Sequence, residues 1–387
     1  MKHSGCASVW KKYLALIALI LAILACSASP VTLPGNPVTQ ISPPITQSPG
    51  AVTAAPSGLV DIPMQVGYGV RGPFYEIYFT DPFNPAGSRE EGGPDVPLAA
   101  AIDAARISVD MAAYSLSLYA IQQALIHAYN RGVQVRLVME SDNMDGDAVQ
   151  AVLGAGIPIV GDHRDGLMHD KFVVIDRSEV WTGSMNFTTQ GTYSDNNNLL
   201  RIRSAKFAED YTVEFEEMFK QDFFGPDAVA NTPTPAMIID GVPVEVYFSP
   251  DDHVARRIVK LLRAAQHSIY FLAYSFTAND FGDILRQKAL DGLAVKGVME
   301  EEQVKTNVGT EFDAFNAAGL PVYLDGNAGQ MHHKTIIIDG QIVITGSYNF
   351  TASAERNNDE NVVIFHDAQI AARYLAEFQR VFDDAQK

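Results

Sequence analysis

The sequence predicts an α/β protein made twice over: two mixed β-sheet halves, each flanked by helices. Three observations predict it. The chain has 387 residues, more than one average domain. Short apolar, β-rich runs alternate with helical patterns from about residue 70 to the end. The second half also repeats the first: Ser108–Ser115 matches Ser268–Ser275, and Gly132–Glu140 matches Gly292–Glu300, both at an offset of 160. Farther on the offset becomes 163, so a three-residue insertion separates the copies.

The start of the sequence reads as an export signal. Lys2, Lys11 and Lys12 precede an unbroken apolar run from Leu14 to Ala25, too short to span a bilayer comfortably. The run ends Ile23-Leu24-Ala25-Cys26-Ser27, which resembles the lipobox of bacterial lipoproteins. That resemblance implies removal of residues 1–25 and lipid attachment to Cys26, hence an extracytoplasmic protein anchored to a membrane; plain secretion or an uncleaved anchor is the alternative. The other cysteine, Cys6, lies inside the leader, so no disulfide framework is expected. Residues 26–58 are rich in Ser, Thr and Pro and nearly free of charge, which suits an extended tether reaching up to about 100 Å.

Within the first half, strands are expected at 75–79, 107–112, 133–139, 172–176, 179–182 and 198–203, with counterparts in the second. Helices are expected at Leu98–Ala105, Leu118–Asn130 and Asp145–Gly154. Phe172-Val173-Val174-Ile175 shows no polar alternation and reads as a strand buried on both faces. A helix closes each half, its stripe Tyr211, Phe215, Phe219 matched by Tyr374, Phe378, Phe382. These patterns divide the chain into a first half over 59–228, a Pro-interrupted linker over 229–240 and a second half over 241–387. Asn84–Pro97, rich in Gly, Pro and charge, has no equal in the second half and reads as a surface loop at the mouth of a site.

The chemistry lies in a repeated segment. His169-Asp170-Lys171 leads through four apolar residues to Asp176 and then Gly183-Ser184-Met185-Asn186. His332-His333-Lys334 leads at the same spacing to Asp339 and Gly346-Ser347-Tyr348-Asn349. Side chains two apart on a strand share a face, so His169 projects with Lys171, and His332, not His333, projects with Lys334. Two histidines can divide nucleophilic attack and proton donation in cleaving a phosphodiester, while two lysines and the amides of the Gly-Ser turns hold the phosphate oxygens. The motifs offer no carboxylate cluster suited to a metal, and no cofactor is called for. Asp176 and Asp339 read as strand-ending structural residues. Tyr114 and Tyr274, at repeated Ala-Tyr-Ser strand ends, read as core or cleft wall.

The full pattern His-x-Lys-x4-Asp-x6-Gly-Ser-x-Asn resembles the phospholipase D superfamily, and both copies match it. The resemblance implies a pseudo-dimer whose halves face one cleft, and two-step catalysis through a phosphohistidine. It implies a site formed by His169, His332, Lys171, Lys334, Ser184, Asn186, Ser347 and Asn349, with His169 as nucleophile and His332 as general acid. The family tends to place a carboxylate after each motif to hold a histidine Nδ1. Here Glu360 stands 28 residues past His332, but Asn197 stands 28 past His169. Glu360 is expected to reach across to His169 and make it the better nucleophile.

Three readings of the substrate compete. A phospholipase D acting on glycerophospholipids, with water or an alcohol as acceptor, fits the export signal. It also fits the acidity: 28 basic against 46 acidic residues give −18, and −21 once the three leader lysines are gone. A metal-independent endonuclease is the second, disfavoured because that charge repels polyanions. A non-catalytic binding module would normally have lost a histidine or lysine, and none is missing. No obligate protein partner is evident, since one chain holds both half-sites.

Overall fold

The structure, a computed structural model, describes residues 58–387. The leader, Cys26 and the tether through residue 57 lie outside the described residues.

The first half is a nine-stranded sheet. Its strands are β1 (Val60–Ile62), β2 (Tyr68–Arg71), β3 (Tyr75–Phe79), β4 (Ser108–Ala113), β5 (Gln134–Met139), β6 (Ile159–Gly161), β7 (Lys171–Ile175), β8 (Glu179–Gly183) and β9 (Asn198–Arg203). They lie in the order β1-β2-β3-β9-β8-β7-β4-β5-β6, with only β4, β5 and β6 parallel. Helices α1 (Asp95–Ala104), α2 (Tyr119–Asn130), α3 (Asp147–Gly154), α4 (Thr189–Tyr193) and α5 (Ala205–Gln221) belong to it.

The second half repeats this with eight strands. They are β10 (Ala236–Ile239), β11 (Val242–Ser249), β12 (Ser268–Ala273), β13 (Ala294–Met299), β14 (Val322–Leu324), β15 (Lys334–Ile338), β16 (Ile342–Gly346) and β17 (Glu360–His366). The order β10-β11-β17-β16-β15-β12-β13-β14 copies that of the first sheet from β2 onward. Its helices are α6 (Val254–Ala264), α7 (Asn279–Leu290), α8 (Glu301–Thr306), α9 (Phe312–Ala317), α10 (Ala352–Arg356) and α11 (Ala368–Asp384).

The apolar motif strands divide their side chains between two cores, as a period of two requires. In β7, Val173 and Ile175 join the first half's own core, while Phe172 and Val174 join a core shared by both halves. In β15, Ile336 and Ile338 face the second half's core and Ile337 the shared one. The shared core is built largely on α5 and α11. Ser204 caps α5 by accepting from Phe207 N–H, and Asp367 caps α11 by accepting from Gln369 and Ile370 N–H. Tyr211 meets Phe248 of the other half at 5.0 Å between ring centres, and Phe79 meets Tyr374 at 5.1 Å. Phe219, at the end of the first stripe, is only partly buried.

The structure departs from the sequence reading in several places, adding the short strands β1, β2 and β6. Ala236–Ile239, within the interval read as linker, is strand β10, paired antiparallel with β11. Prolines 233 and 235 precede this edge strand instead of excluding it. The glycine-rich segment 84–97 is partly ordered: it holds a 3₁₀ turn at Pro85–Arg89 and the first residues of α1. Asp95 there accepts the Tyr193 hydroxyl at 2.7 Å, and no residue of the segment lines the catalytic cleft. Helix α1 starts at Asp95, three residues earlier than expected, because Pro97 is tolerated in a first helical turn. Among the described residues, no helix is long and apolar enough to cross a membrane.

Candidate active site

The pairing of β4 with β7 and of β12 with β15 sets the site's register. Ala113 pairs with Lys171 and Ala273 with Lys334, so the next residues, Tyr114 and Tyr274, emerge beside the motif histidines. Each motif is also pinned to the opposite half. His169 N–H donates to Asp359 carbonyl oxygen at 3.0 Å, and His332 N–H to Asn196 carbonyl oxygen at 2.9 Å. Both histidines thereby line one cleft of about 530 Å³. A larger cavity, about 690 Å³ between β2 and α11, contains none of the motif histidines or lysines.

The histidine side chains are held across the pseudo-dimer as well. His169 Nδ1 lies 2.7 Å from Glu360 Oε2, and Glu360 is fully buried. His332 Nδ1 has two neutral acceptors, Asn197 Oδ1 at 3.0 Å and the Ser184 carbonyl at 3.1 Å. The two histidines therefore occupy matched positions with unequal partners, a carboxylate and a carboxamide. An Nδ1–H in these bonds leaves Nε2 as the free nitrogen of each ring.

The remaining motif residues fall into distinct roles. Lys171 and Lys334 are buried, donating to the carbonyls of His169 and His332 at 2.5 and 2.8 Å. Their ammonium groups also sit over the rings of Tyr114 and Tyr274, at 5.0 and 4.5 Å. Those two rings meet His169 and His332 edge-on at 4.9 and 4.5 Å. Ser184 and Ser347 are fully buried behind the histidines. Ser184 Oγ donates to Asn197 Oδ1 at 2.8 Å, and Ser347 Oγ accepts from the N–H of Asn361, next to Glu360, at 2.9 Å, so both serines sit with the orienting groups and neither lines the cleft. Asn186 and Asn349 do line the cleft, each with a buried Oδ1 that has no partner.

Asp176 and Asp339 close backbone loops away from the chemistry. Asp176 accepts from the N–H groups of Arg106, Ile107 and Ser108, and Asp339 from those of Gln266, His267 and Ser268. The residues inside each motif face the opposite way from the histidines. Asp170 accepts from Asn361 Nδ2 at 2.6 Å, while His333 lies between Asn198 and Glu377 at 3.2 and 3.0 Å. Among the described residues, no group of three or more His, Cys, Asp or Glu side chains is placed to hold a metal ion.

Burial dominates the electrostatics. It holds both histidines well below the ordinary imidazole value, helped by the two lysine charges. It pushes Lys171 down to about 7 and Lys334 well below its usual range. Burial also lifts Glu360 up to about 7, against the pull of Lys171. Two lysines whose charge burial disfavours thus stand beside a cleft whose lining holds no carboxylate. A phosphodiester monoanion in that space would stabilise the charged form of every one of these bases.

A family model described as "Cardiolipin synthase, PLD-like domain" matches residues 98–219 and again 258–382. The chain belongs to the phospholipase D-like family. These phosphodiesterases carry the domain, and this chain carries it twice. The mitochondrial cardiolipin hydrolase of Chlamydomonas reinhardtii is 25% identical over 206 residues, 47% of this chain and 91% of that protein. A phospholipase D of Rickettsia typhi is 34% identical over 132 residues, 34% of this chain and 64% of its own length. Among solved structures, a phosphatidylserine synthase of Haemophilus influenzae shares the fold at 12% identity, covering 75% of this chain and 84% of its own, with a TM-score of 0.60.

Tyr114, Tyr274, Asn196 and Asp359 are site members whose part the motif spacing alone does not assign. The signal for the tyrosines was present in the repeated Ala-Tyr-Ser. For Asn196 and Asp359 it was their matched place just before Asn197 and Glu360.

Proposed function

We propose that this protein hydrolyses glycerophospholipids as a phospholipase D, through a phosphohistidine on His169. The observation that carries the assignment of roles is the unequal pair of histidine partners, Glu360 at 2.7 Å from His169 and Asn197 at 3.0 Å from His332. A carboxylate stabilises an imidazole that must become cationic on bonding to phosphorus, whereas a carboxamide leaves its imidazole readier to give up a proton.

In the first step His169 Nε2 attacks phosphorus. The N–P bond forms as the P–O bond to the head-group oxygen breaks, and that oxygen takes a proton from the His332 imidazolium. His332 acquires that proton with substrate, because the bound anion offsets the two lysines that depress it. Lys171, Lys334 and the Asn186 and Asn349 amides hold the equatorial oxygens. In the second step His332, now neutral, takes a proton from water as the water oxygen bonds to phosphorus and displaces His169, releasing phosphatidic acid. An alcohol in place of water would give head-group exchange.

With residues 1–25 a cleaved leader and Cys26 lipidated, the site would work outside the cytoplasm and near a membrane. The lipid assignment also draws on the phospholipase D and cardiolipin hydrolase names of the relatives and on the net charge of −18, which disfavours a nucleic acid. The test is an assay of the full chain in EDTA against phospholipid vesicles with and without a primary alcohol, beside single- and double-stranded DNA and RNA. His169→Ala serves as the control. Lipid turnover abolished in the control is the expected result; nucleic acid cut with lipid untouched overturns the proposal.

A further inference from the structure

The two copies of the domain share every defined position of the His-x-Lys-x4-Asp-x6-Gly-Ser-x-Asn pattern, but the cleft they share is one-sided. The offset between halves grows from 160 at Glu140 and Glu300 to 163 at Gly156 and Gly319, so three residues are inserted between these points. In the first half the chain after Glu140 makes only a three-residue 3₁₀ turn, Ser141–Asn143, and Asn143 folds back to donate to the Tyr114 carbonyl at 2.7 Å. In the second half the longer segment makes α8 and the turn that follows it. This brings Gln303, Asn307 and Val308 into the cleft wall, whereas no residue of 141–143 lines it.

The inserted wall is wired to the catalytic centre. Asn307 Nδ2 donates to Ser275 Oγ at 2.9 Å and to Gln303 Oε1 at 3.0 Å, and Gln303 Nε2 donates to the Tyr274 hydroxyl at 3.2 Å. Tyr274 is the ring against His332. This ladder leaves Asn307 Oδ1 and the Ser275 hydroxyl hydrogen without a further partner among the described residues, and Asn349 Oδ1 nearby in the same cleft is buried and unpartnered. All three sit in a cleft whose lining contains no Asp or Glu. Buried carboxylates close by are engaged elsewhere: Glu360 behind His169, Glu300 accepting from Gln303 N–H at 2.6 Å and Asp195 from Gln330 N–H at 3.0 Å.

We infer that this wall is the head-group subsite of the lipid reading above, and that Asn307 and Gln303 select an uncharged, hydroxyl-bearing head group such as glycerol. Carboxamide and hydroxyl groups donate to and accept from hydroxyls. They do not repay the desolvation of an ammonium, least of all beside Lys171 and Lys334. A quaternary ammonium has no donor to offer the half-exposed Asn307 Oδ1, whereas a glycerol hydroxyl can fill it.

The test uses the full chain with short-chain phospholipids kept monomeric, so that surface charge plays no part. Phosphatidylglycerol, phosphatidylethanolamine and phosphatidylcholine are compared by kcat/KM. The expected result is a preference for the glycerol head group over choline of at least about tenfold, falling toward unity in Asn307→Leu. Asn307→Asp should turn the preference toward ethanolamine, because a carboxylate now offsets its charge. Equal use of all three lipids by the natural chain overturns the inference while leaving the lipid reading intact. So does a glycerol-to-choline ratio that both variants leave unchanged, including the case where they lower all rates together. If none of the lipids is turned over while bis(p-nitrophenyl) phosphate is cleaved, the lipid reading itself falls and the subsite with it.

Discussion

Replacing Glu360 with Gln removes one charge from the site and little else. Gln is nearly isosteric, and its Oε1 can accept the His169 Nδ1–H just as Asn197 accepts from His332 at 3.0 Å. What is lost is the stabilisation of the cation that His169 becomes when phosphorylated. Opposite unit charges about 4 Å apart at an effective dielectric constant near 20 interact by roughly 4 kcal/mol. Part of that attraction is already present before attack, so the transition state loses less than the whole. A retained half to three quarters corresponds to a loss of about 30- to 200-fold in the phosphorylation rate. The assay is a rapid-quench burst of p-nitrophenol from bis(p-nitrophenyl) phosphate, with acid-labile phosphoenzyme measured in the same samples. Stability is the control: burial already pushes the Glu360 carboxyl up to about 7, so its neutral replacement should leave Tm unchanged or raised. A burst rate within threefold of the natural chain, in a variant that folds normally, would refute the reasoning.

Other perturbations separate the remaining roles. Asn197→Asp gives His332 a carboxylate neighbour and should raise its pKa, moving the basic limb of the kcat–pH profile upward by about one unit or more; an unmoved limb argues against His332 as the acid. Burial holds His169 well below 6.5, so the acidic limb of kcat/KM for the free enzyme should fall below that value and be lost in no variant that keeps both lysines. Asp176→Ala removes the acceptor for three backbone N–H groups and should cost about 2–3 kcal/mol of stability in a urea titration, with little change in kcat/KM of the folded fraction. Burial raises Asp170 to about 7, so its protonated form is favoured in the fold: its contribution to stability is complete below about pH 4 and is lost as pH rises through 7. Asp170→Asn escapes that loss, so its Tm relative to the natural chain should climb between pH 4 and 8; a constant difference would show that Asp170 does not titrate in this way.

The strands that carry the motifs were legible because their signal is local. Four apolar residues between Lys171 and Asp176, and Thr335 with three isoleucines between Lys334 and Asp339, read as strands with both faces covered, and they are buried on both. The short strands at the sheet margins, β1, β2 and β10, were not legible. They are three or four residues long and partly exposed, so burial selects little of their composition, and pairing with β3 and β11 supplies their order. Prolines and glycines near 84–97 and 229–240 were read as breaks, yet α1 and β10 begin among them because a first helical turn and an edge strand tolerate missing donors.

In the site, sequence by itself determined the chemical inventory: which imidazoles and ammonium groups are present, which share a strand face, and that Glu360 and Asn197 make the halves unequal. A period of two along a strand and an internal repeat suffice for that. Only the tertiary structure decided what each group touches. The withdrawal of Ser184 and Ser347 behind the orienters and the edge-on contact of Tyr114 and Tyr274 with the histidines depend on the fold, which also realises the expected crossing of Glu360 to His169 over 191 residues of chain. So does the use made of the three inserted residues, which the offset reveals as a number and the fold turns into one wall of the cleft. Such contacts depend on how two sheets face each other across a shared core, and no local pattern encodes that distance.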